Sequence, residues 1–597
     1  MPDSAQNIPE GKKNPDLMVD ARSMLVINVG EIITRALLFD SVENRYRLLG
    51  QAAVPTTAAA PVENAAAGIR SSILQLQSII GRRLLNQNGT LISPSTTDGS
   101  GVDQVAATLS AGPPLKIAAA GLLDEVSLAS AKKLARTTFS GEMETISLNT
   151  IKDQAAQIDA ILQFLPDLVI VAGGTDQGAA QSVLRLFETV HLACKLIPVE
   201  ERPTVLFAGN QNLRGEIIDR FRSTLDIQFA TNIRPTMDTE DFSVSQKKIA
   251  NISRRIQLKK IHGLVELDDW TNGRIVPSSS VLGNIIQFLS EARTPKKGVL
   301  GIEIGASATT VAAAFSGTLT ISVFPELGLG SDLTYLLEPE TFDKVTRWLS
   351  MDVPVDYMQA YILNKHLYPS SIPATPDDLA IEHALTRYLI RTAILKNIEA
   401  LSPNHRNSGQ KYFPPVEPIL ATGSVLSQAP SKAQTLLMLL DGLQPVGATT
   451  FVLDPYQSAA ALGAAAEINP TLTVQVLDSN AFLHMGTVIS PVGESKTGTP
   501  ILRAELIDGD GHETRVEIKQ GTILSLPLAT GHTAQLKLHP LHKYDVGMGG
   551  PGIGGTLLVK GGESGIVIDG RGRPLTLPAN VEERYEMFHK WLWALGG

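Results

Sequence analysis

The chain has 597 residues, enough for about four average domains, and its 43% hydrophobic content excludes a largely disordered protein. Its net charge of -9 argues against nucleic acid as the main partner, because neutralising phosphate requires clustered Lys and Arg. The single cysteine, Cys194, excludes a disulfide framework and a cysteine-based zinc site. No apolar run reaches membrane-spanning length and the polar N-terminus lacks a signal peptide's apolar core, so we expect a cytoplasmic protein without a transmembrane helix.

The hydrophobic pattern in the first half of the sequence predicts alternating strands and helices. After a polar arm over residues 1–23, Met24–Val29 and residues 35–39 are apolar runs joined through a turn at Gly30, which is typical of a β-hairpin. Residues 86–112, rich in Gly, Ser and Thr, predict a surface loop. Further strands are predicted over residues 115–120, 167–172 and 204–207, and helices over residues 65–85, 125–136, 179–193, 213–221 and 246–264. This alternation indicates a parallel sheet covered by helices on both faces.

A second unit begins near Gly298. Strands are predicted over residues 300–304, 311–315, 318–323 and 418–421, and helices over residues 376–400 and 457–467. Short runs separated by Gly, Pro and Asp then predict an all-β region up to residue 577, closed by a helix over residues 581–595. We therefore expect an arm at 1–23, α/β domains at 24–296 and 297–470, and a C-terminal β-domain at 471–597.

The two apolar hairpins align with each other at an offset of 275 residues. The offset pairs Leu25 with Leu300, Asn28 with Glu303, Gly30 with Gly305 and Thr34 with Thr309. Glycine in a tight turn lets the backbone approach a phosphate, and the following N–H groups and a threonine hydroxyl can donate to its oxygens. A carboxylate two residues before the glycine can hold a metal-bound water. The repeat indicates two similar domains whose hairpins clamp a polyphosphate.

Six stretches resemble the glutamate mutase-associated MutL family, within the actin, Hsp70 and sugar-kinase superfamily of ATP-binding proteins. They are INVGEIITRALLFD (27–40), VPTTAAAPVENAAAGIR (54–70), LVIVAGGTDQGAAQSVL (168–184), VLFAGNQN (205–212), VLGIEIGASATTV (299–311) and ILATGSVLS (419–427). The resemblance implies an α/β fold of two related actin/Hsp70-like, ribonuclease H-like domains facing a cleft, followed by the C-terminal all-β domain. It also implies ATP and Mg²⁺ as cofactors and a cobalamin-dependent mutase as partner.

The resemblance places cofactor-binding residues in four segments. They are Gly30 and Thr34 in the first hairpin, Gly305, Ser307, Thr309 and Thr310 in the second, Gly173, Gly174 and Thr175 in AGGTD, and Thr422, Gly423 and Ser424 in ATGS. For AGGTD and ATGS, an ordinary turn between a strand and a helix is the alternative interpretation.

The first hairpin departs from the superfamily pattern. An aspartate usually organises Mg²⁺ in the first loop, where this chain has Asn28, and the second loop has Glu303 instead of aspartate. Glu31, Ile32 and Ile33 follow Gly30, where the superfamily has small residues. A carboxylate and two branched side chains oppose phosphate by charge and by bulk, so the sequence favours the fold of the superfamily more strongly than its hydrolysis of ATP.

Three carboxylates are candidates for positioning water or metal during hydrolysis. Glu303 is the predicted catalytic residue and metal ligand, unless it is a buried acceptor for turn N–H groups. Asp176 is the second catalytic candidate, unless it caps the following helix. Asp332 faces the cleft or caps a helix.

These observations predict an ATP-binding accessory protein, a chaperone or reactivating factor for a cobalamin-dependent mutase. ATP would close the two domains, and closure would act on the partner. The alternative is a catalytically degenerate actin-like scaffold that does not hydrolyse ATP, which Asn28 and the bulky first turn favour. A small-molecule kinase is a third hypothesis, but the first domain contains no identifiable general base.

Overall fold

The computed structural model describes residues 22–149, 153–291, 297–330, 332–400 and 412–597. Of the predicted arm at 1–23, only the last two residues lie inside these ranges. The described chain is a mixed α/β structure with four β-sheets and helices packed against them. None of the helices in these ranges is both long enough and apolar enough to cross a bilayer.

The strands and helices are as follows in chain order. The strands are β1 (Met24–Val29), β2 (Ile33–Val42), β3 (Arg45–Pro55), β4 (Gln104–Leu109), β5 (Leu115–Gly121), β6 (Ser140–Ser147), β7 (Leu168–Val171), β8 (Thr204–Phe207), β9 (Ile227–Phe229), β10 (Ile275–Pro277), β11 (Gly298–Ile304), β12 (Thr309–Phe315), β13 (Thr318–Phe324), β14 (Val416–Thr422), β15 (Gly447–Leu453), β16 (Leu483–Ser490), β17 (Pro500–Ile507), β18 (Glu513–Lys519), β19 (Ile523–Leu526), β20 (Thr533–Pro540), β21 (Gly555–Lys560) and β22 (Ile566–Asp569). The helices are α1 (Ala65–Ile80), α2 (Ala129–Ala135), α3 (Gln154–Phe164), α4 (Ala180–Leu196), α5 (Arg214–Phe221), α6 (Ser243–Lys260), α7 (Val265–Trp270), α8 (Ser278–Glu291), α9 (Pro339–Thr346), α10 (Val355–Leu367), α11 (Pro376–Ala400), α12 (Ser424–Ser427), α13 (Lys432–Leu443), α14 (Ala459–Ala466), α15 (Pro470–Leu477) and α16 (Val581–Ala594).

The first sheet has the strand order β10–β4–β1–β2–β3. β1 and β2 form the predicted antiparallel hairpin, and β4 and β10 continue the sheet in parallel on the other side of β1. The prediction of a surface loop over residues 86–112 is therefore wrong for β4, which lies between two other strands. The six-residue run QVAATL is too short and too rich in alanine to be recognised as a strand, yet five of its residues are buried.

The predicted repeat is present in the second sheet. Its first five strands run β13–β12–β11–β14–β15, the same arrangement as β3–β2–β1–β4–β10. The hairpin registers also agree at the offset of 275, because Asn28 pairs with Arg35 and Glu303 pairs with Thr310. The two hairpins are therefore equivalent in sequence, strand order and register.

The two repeated units meet through a pair of small-residue helices. Helix α8 follows β10 and helix α14 follows β15, so the two helices occupy equivalent places. A Cβ atom added to Gly463 of α14 would lie only 2.4 Å from the carbonyl oxygen of Val281 in α8. Glycine at this position lets the backbones of the two units touch directly.

A separate parallel sheet, β6–β5–β7–β8–β9, is inserted into the first unit. One apolar cluster joins its strands to α3, α4 and α5, and another joins them to α2 and α6. The predicted parallel sheet with helices on both faces is therefore confirmed for residues 115–260. Cys194 lies buried in the first cluster, where burial raises the pKa of its thiol to about 12.

The C-terminal strands divide between two sheets. β16, β22 and β19 extend the second sheet beyond β15, while β18–β17–β20–β21 form a small antiparallel sheet. The second sheet thus runs across residue 470, where a domain boundary was expected. The all-β prediction is wrong at its start, because PTLTVQVL forms α15 with its first turn capped by Asn469. Threonine and valine favour strands, but the cap and the buried positions of Leu472 and Val476 fix a helix here.

Candidate functional site

The turns of the two repeated hairpins line one cleft with a volume of about 500 Å³. Residues 30–33 of the first turn and residues 304–308 of the second turn both line it. The strand end at 422–424 and the segment around α10 and α11 also line the cleft, as do residues from the ends of β4 and β10 and from α6 and α8. The cleft therefore lies where the repeat predicts a phosphate clamp.

Both turns close in the same way. The N–H of Gly30 donates to the carbonyl oxygen of Ile33 at 3.1 Å, and the N–H of Gly305 donates to that of Ala308 at 3.0 Å. Neighbouring segments satisfy the turn carbonyls, which would otherwise repel phosphate. Thr56 donates its hydroxyl to Gly30 O at 2.7 Å and its N–H to Ile32 O at 2.7 Å. This contact gives the VPTT segment a role in supporting the first turn.

The structure brings only part of the predicted hairpin set to the cleft. Gly30, Gly305, Ser307 and Thr310 line it. The hydroxyls of the other two residues are bonded away from it. Thr34 is buried with its Oγ1 2.9 Å from Oγ1 of Thr56, and Thr309 is buried with its hydroxyl donating to Leu327 O at 2.6 Å. Alternate residues of a strand face opposite sides, so the cleft receives the neighbours of these threonines, Arg35 and Thr310.

The bulky first turn crowds the cleft from one side. The Cδ1 atom of Ile32 lies 3.3 Å from where a Cβ on Gly330 would stand, so this side chain reaches across to the second unit. The Glu31 carboxylate accepts the N–H of Gly112 at 3.1 Å, and burial raises the pKa of Glu31. Both residues thus line the cleft as part of the first turn.

Three charged residues meet at the floor. Glu303 and Arg35 line the cleft, and Asp454 lies fully buried next to them. Burial and the charge of Asp454 raise the pKa of Glu303 to about 7, although the guanidinium of Arg35 acts against them. Burial likewise raises the pKa of Asp454. Burial lowers the pKa of Arg35, and the two carboxylates counteract that effect.

The predicted segment Thr422–Gly423–Ser424 also lines the cleft. Gly423 has φ of 121°, and a Cβ on it would lie 2.3 Å from the carbonyl oxygen of Ile304. Only glycine fits there, so the backbone itself forms this part of the wall. Thr422 donates its hydroxyl to Asp454 at 3.2 Å, and the Ser424 hydroxyl donates to Gln457 at 3.3 Å.

The AGGTD segment lies outside this cleft. Gly173, Gly174 and Thr175 follow β7 in the inserted sheet, and a Cβ on Gly173 would lie 2.9 Å from Leu122. Asp176 accepts from Asn232 at 2.9 Å and from the N–H of Gln211 at 3.3 Å. Helix α4 begins after Ala179 without a side-chain cap. The geometry therefore matches a tight turn that follows β7 and precedes α4, and Asp176 connects this turn to the loops that follow β8 and β9.

Asp332 lies outside the cleft as well. It lines a neighbouring cavity of about 1150 Å³, where its carboxylate accepts the hydroxyl of Thr334 at 2.9 Å.

The wall formed by α10 and α11 contains residues that sequence reasoning missed. Lys365 forms a buried ion pair with Glu382 at 2.5 Å, and the hydroxyl of Tyr361 donates to Glu382 at 2.9 Å. His383 lines the cleft with its Nε2 atom buried and without a hydrogen-bond partner among the described residues. Burial, assisted by the charge of Arg387, lowers the pKa of His383 to about 3, so this imidazole is neutral.

The floor residues fit a magnesium ion poorly. Magnesium requires near-octahedral oxygen ligands and is usually held through carboxylates. Asn28 offers a neutral amide, Asp454 already accepts from Thr422, Ser458 and Ala459, and the remaining carboxylate, Glu303, lies beside the charge of Arg35.

Comparisons with known proteins were made on the sequence and on the fold. No curated protein matches the chain. The nucleotide-free acetone carboxylase structure is 11% identical, with 86% of this chain and 82% of that chain covered and a TM-score of 0.29. An ATP-dependent caprolactamase from Pseudomonas jessenii is 10% identical, with coverage of 83% and 81% and a TM-score of 0.27. The nucleotide-free diol dehydratase-reactivating factor is 11% identical, with coverage of 75% and 99% and a TM-score of 0.29.

Comparison of the sequence with a protein-family model identifies the family of the chain. The model described as MutL protein matches residues 24–481, which is most of the chain and includes both repeated hairpins. The predicted resemblance to the glutamate mutase-associated MutL family is thereby confirmed, and the chain belongs to the MutL protein family.

Proposed function

We propose that the chain is an ATP-binding accessory protein for a cobalamin-dependent mutase, built from two related actin-like domains that close around the nucleotide. The observation that carries this proposal is the pair of hairpins, which share strand order and register and turn toward one cleft of about 500 Å³. Membership of the MutL family supports the mutase as partner. The proposed place of action is the cytoplasm.

The proposed roles follow the cleft lining. Gly305, Ser307 and Thr310 bind phosphate oxygens through the second turn, which retains small and hydroxyl side chains. The 422–424 strand end supports the adenosine, with the backbone of Gly423 lining the cleft. If ATP is hydrolysed, Glu303 positions the attacking water. Asp176, on the inserted sheet, has no part in this cleft.

Calorimetric titration of the full chain with ATP tests nucleotide binding. We expect saturable binding of one ATP, and a loss of about 10-fold in affinity for Thr310→Val, because a hydrogen bond to a charged group is removed. Thr318→Val is the matched control, since Thr318 lies exposed at the start of β13 in the same unit. Absence of binding at millimolar ATP would remove the nucleotide from the proposal.

Sedimentation of the chain with glutamate mutase, with and without ATP, tests the partner. We expect association that changes with the nucleotide, because domain closure moves the surfaces around the cleft. If the two proteins sediment independently in both conditions, the mutase role fails while nucleotide binding is unaffected.

The crowded first turn favours a second candidate, an actin-like scaffold that has lost the nucleotide. Ile32 already reaches the second unit near Gly330, so it can hold the units together without a ligand. This candidate predicts mutase association that is independent of ATP, together with no heat of ATP binding.

A further inference from the structure

We propose that the guanidinium of Arg35 takes the place of a magnesium ion in the cleft, so that the chain binds nucleotide phosphates without a divalent cation. This inference rests on the proposed function, because it assumes that a nucleotide occupies the cleft. It concerns the first hairpin, where Asn28 stands in place of the carboxylate that the superfamily uses for metal.

Hairpin register places Arg35 directly opposite Asn28 in the first hairpin. Directly opposed residues of an antiparallel pair share a face of the sheet. In the first hairpin, Arg35 is opposite Asn28, and in the second, Thr310 is opposite Glu303. The repeat aligns Arg35 with Thr310, and both line the cleft. The first hairpin thus has an amide opposite a guanidinium at the positions where the second hairpin has a carboxylate opposite a hydroxyl.

Arg35 differs from the other cations that line the cleft in the described chain. Arg254 is paired with Asp268 at 2.7 Å, and Lys365 is paired with Glu382 at 2.5 Å. Arg35 instead interacts with Glu303 and Asp454 at the floor. It therefore places positive charge beside Glu303, which lies two residues before the glycine of the second turn.

The two carboxylates that act on Arg35 differ in their other contacts. Asp454 accepts the hydroxyl of Thr422 at 3.2 Å and the N–H groups of Ser458 and Ala459 at 3.0 and 2.7 Å. Asp454 is therefore held by donors at the start of α14 and at the end of β14, in addition to its interaction with Arg35. The remaining neighbour is Glu303, so the arginine has one cleft-facing carboxylate beside it.

A guanidinium, like a metal ion, can neutralise the charge of a phosphate group and contact its oxygens. It is planar, remains charged, and offers a fork of N–H donors that matches two phosphate oxygens. The guanidinium would oppose a divalent cation placed beside it and so offset the attraction of Glu303 and Asp454 for that cation, and the amide of Asn28 would compensate less than an aspartate. In this proposal the guanidinium, rather than a metal ion, neutralises the charge of the phosphate.

Calorimetric titration of the full chain with ATP, in EDTA and in excess Mg²⁺, tests the inference. We expect the two dissociation constants to agree within about 3-fold, and Arg35→Gln to weaken binding about 30-fold in both conditions. Arg45→Gln, an exposed change at the start of β3, is the matched control and leaves both constants unchanged.

A second variant tests the same inference by a gain of metal dependence, so that a folding defect in Arg35→Gln does not decide the result. The double substitution Asn28→Asp with Arg35→Thr recreates the carboxylate–threonine pattern of the second hairpin. We expect it to bind ATP at least about 10-fold more tightly with Mg²⁺ than with EDTA. Circular dichroism verifies that each variant is folded.

The outcomes separate the two proposals. If wild-type chain binds ATP only with Mg²⁺, or if Arg35→Gln binds as tightly as wild type, the inference on Arg35 is overturned and the nucleotide-binding function stands. If wild-type chain binds ATP in neither condition, the proposed function fails, and the inference fails with it.

Discussion

A buried ionic network ties the C-terminal segment to the second unit. The Asp569 carboxylate, fully buried at the end of β22, accepts two hydrogen bonds of 2.9 Å from Arg571 and one of 2.7 Å from Arg573. Arg571 also donates to Asp441 of α13 at 2.6 Å. Burial would raise the pKa of Asp569, but the two guanidinium groups overcome it and hold that pKa well below its usual range.

Replacing Asp569 by Asn keeps the size of the side chain and removes its charge. Breaking a buried ion pair costs about 3–5 kcal/mol, because the remaining charge stays desolvated. The amide oxygen still accepts one hydrogen bond, so we expect a loss of about 3 kcal/mol in the free energy of unfolding. Urea unfolding followed by tryptophan fluorescence reports it, because Trp591 packs 4.6 Å from the Arg571 guanidinium.

An exposed pair in the small antiparallel sheet provides the control. Arg503 and Glu517 are 3.2 Å apart and solvent-exposed, so Glu517→Gln should cost less than about 1 kcal/mol. If Asp569→Asn unfolds within about 1 kcal/mol of wild type, the network does not hold the C-terminal segment in place.

Two other substitutions test the cleft walls. Gly423→Ala should cost at least about 2 kcal/mol in urea unfolding, because its φ of 121° and the 2.3 Å approach to Ile304 exclude a side chain, and wild-type stability would contradict the packing. The pKa of buried His383 falls from 6.5 to about 3 on folding, so the unfolded state binds more protons between these values. Its contribution to stability is full above about pH 6.5 and declines on acidification, by about 2 kcal/mol at about pH 5. His383→Gln should remove that part of the pH dependence, and an unchanged pH profile would refute it.

Local patterns predicted the hairpins, and register explains what they missed. Gly30 and Gly305 mark turns between short apolar runs, so strand positions followed from nearby residues. Matching Thr34 with Thr309 identified the repeat but not which face points to the cleft. Counting back from the turn would have placed Arg35 opposite Asn28.

Long-range pairing lay beyond sequence reasoning. β16 joins the second sheet because it pairs with β15 across the intervening α14 and α15. Asp454 reaches the cleft floor only because its strand lies beside β14. The AGGTD turn carries a glycine pattern like that of a nucleotide loop, but the inserted sheet holds it elsewhere.

Hydrogen–deuterium exchange with and without ATP tests most directly whether both hairpins serve one nucleotide. The account predicts slower exchange on ATP addition in the first turn, residues 28–35, and in the second turn, residues 303–310, with residues 173–176 unchanged. Protection of only one turn, or of residues 173–176 instead, would contradict it.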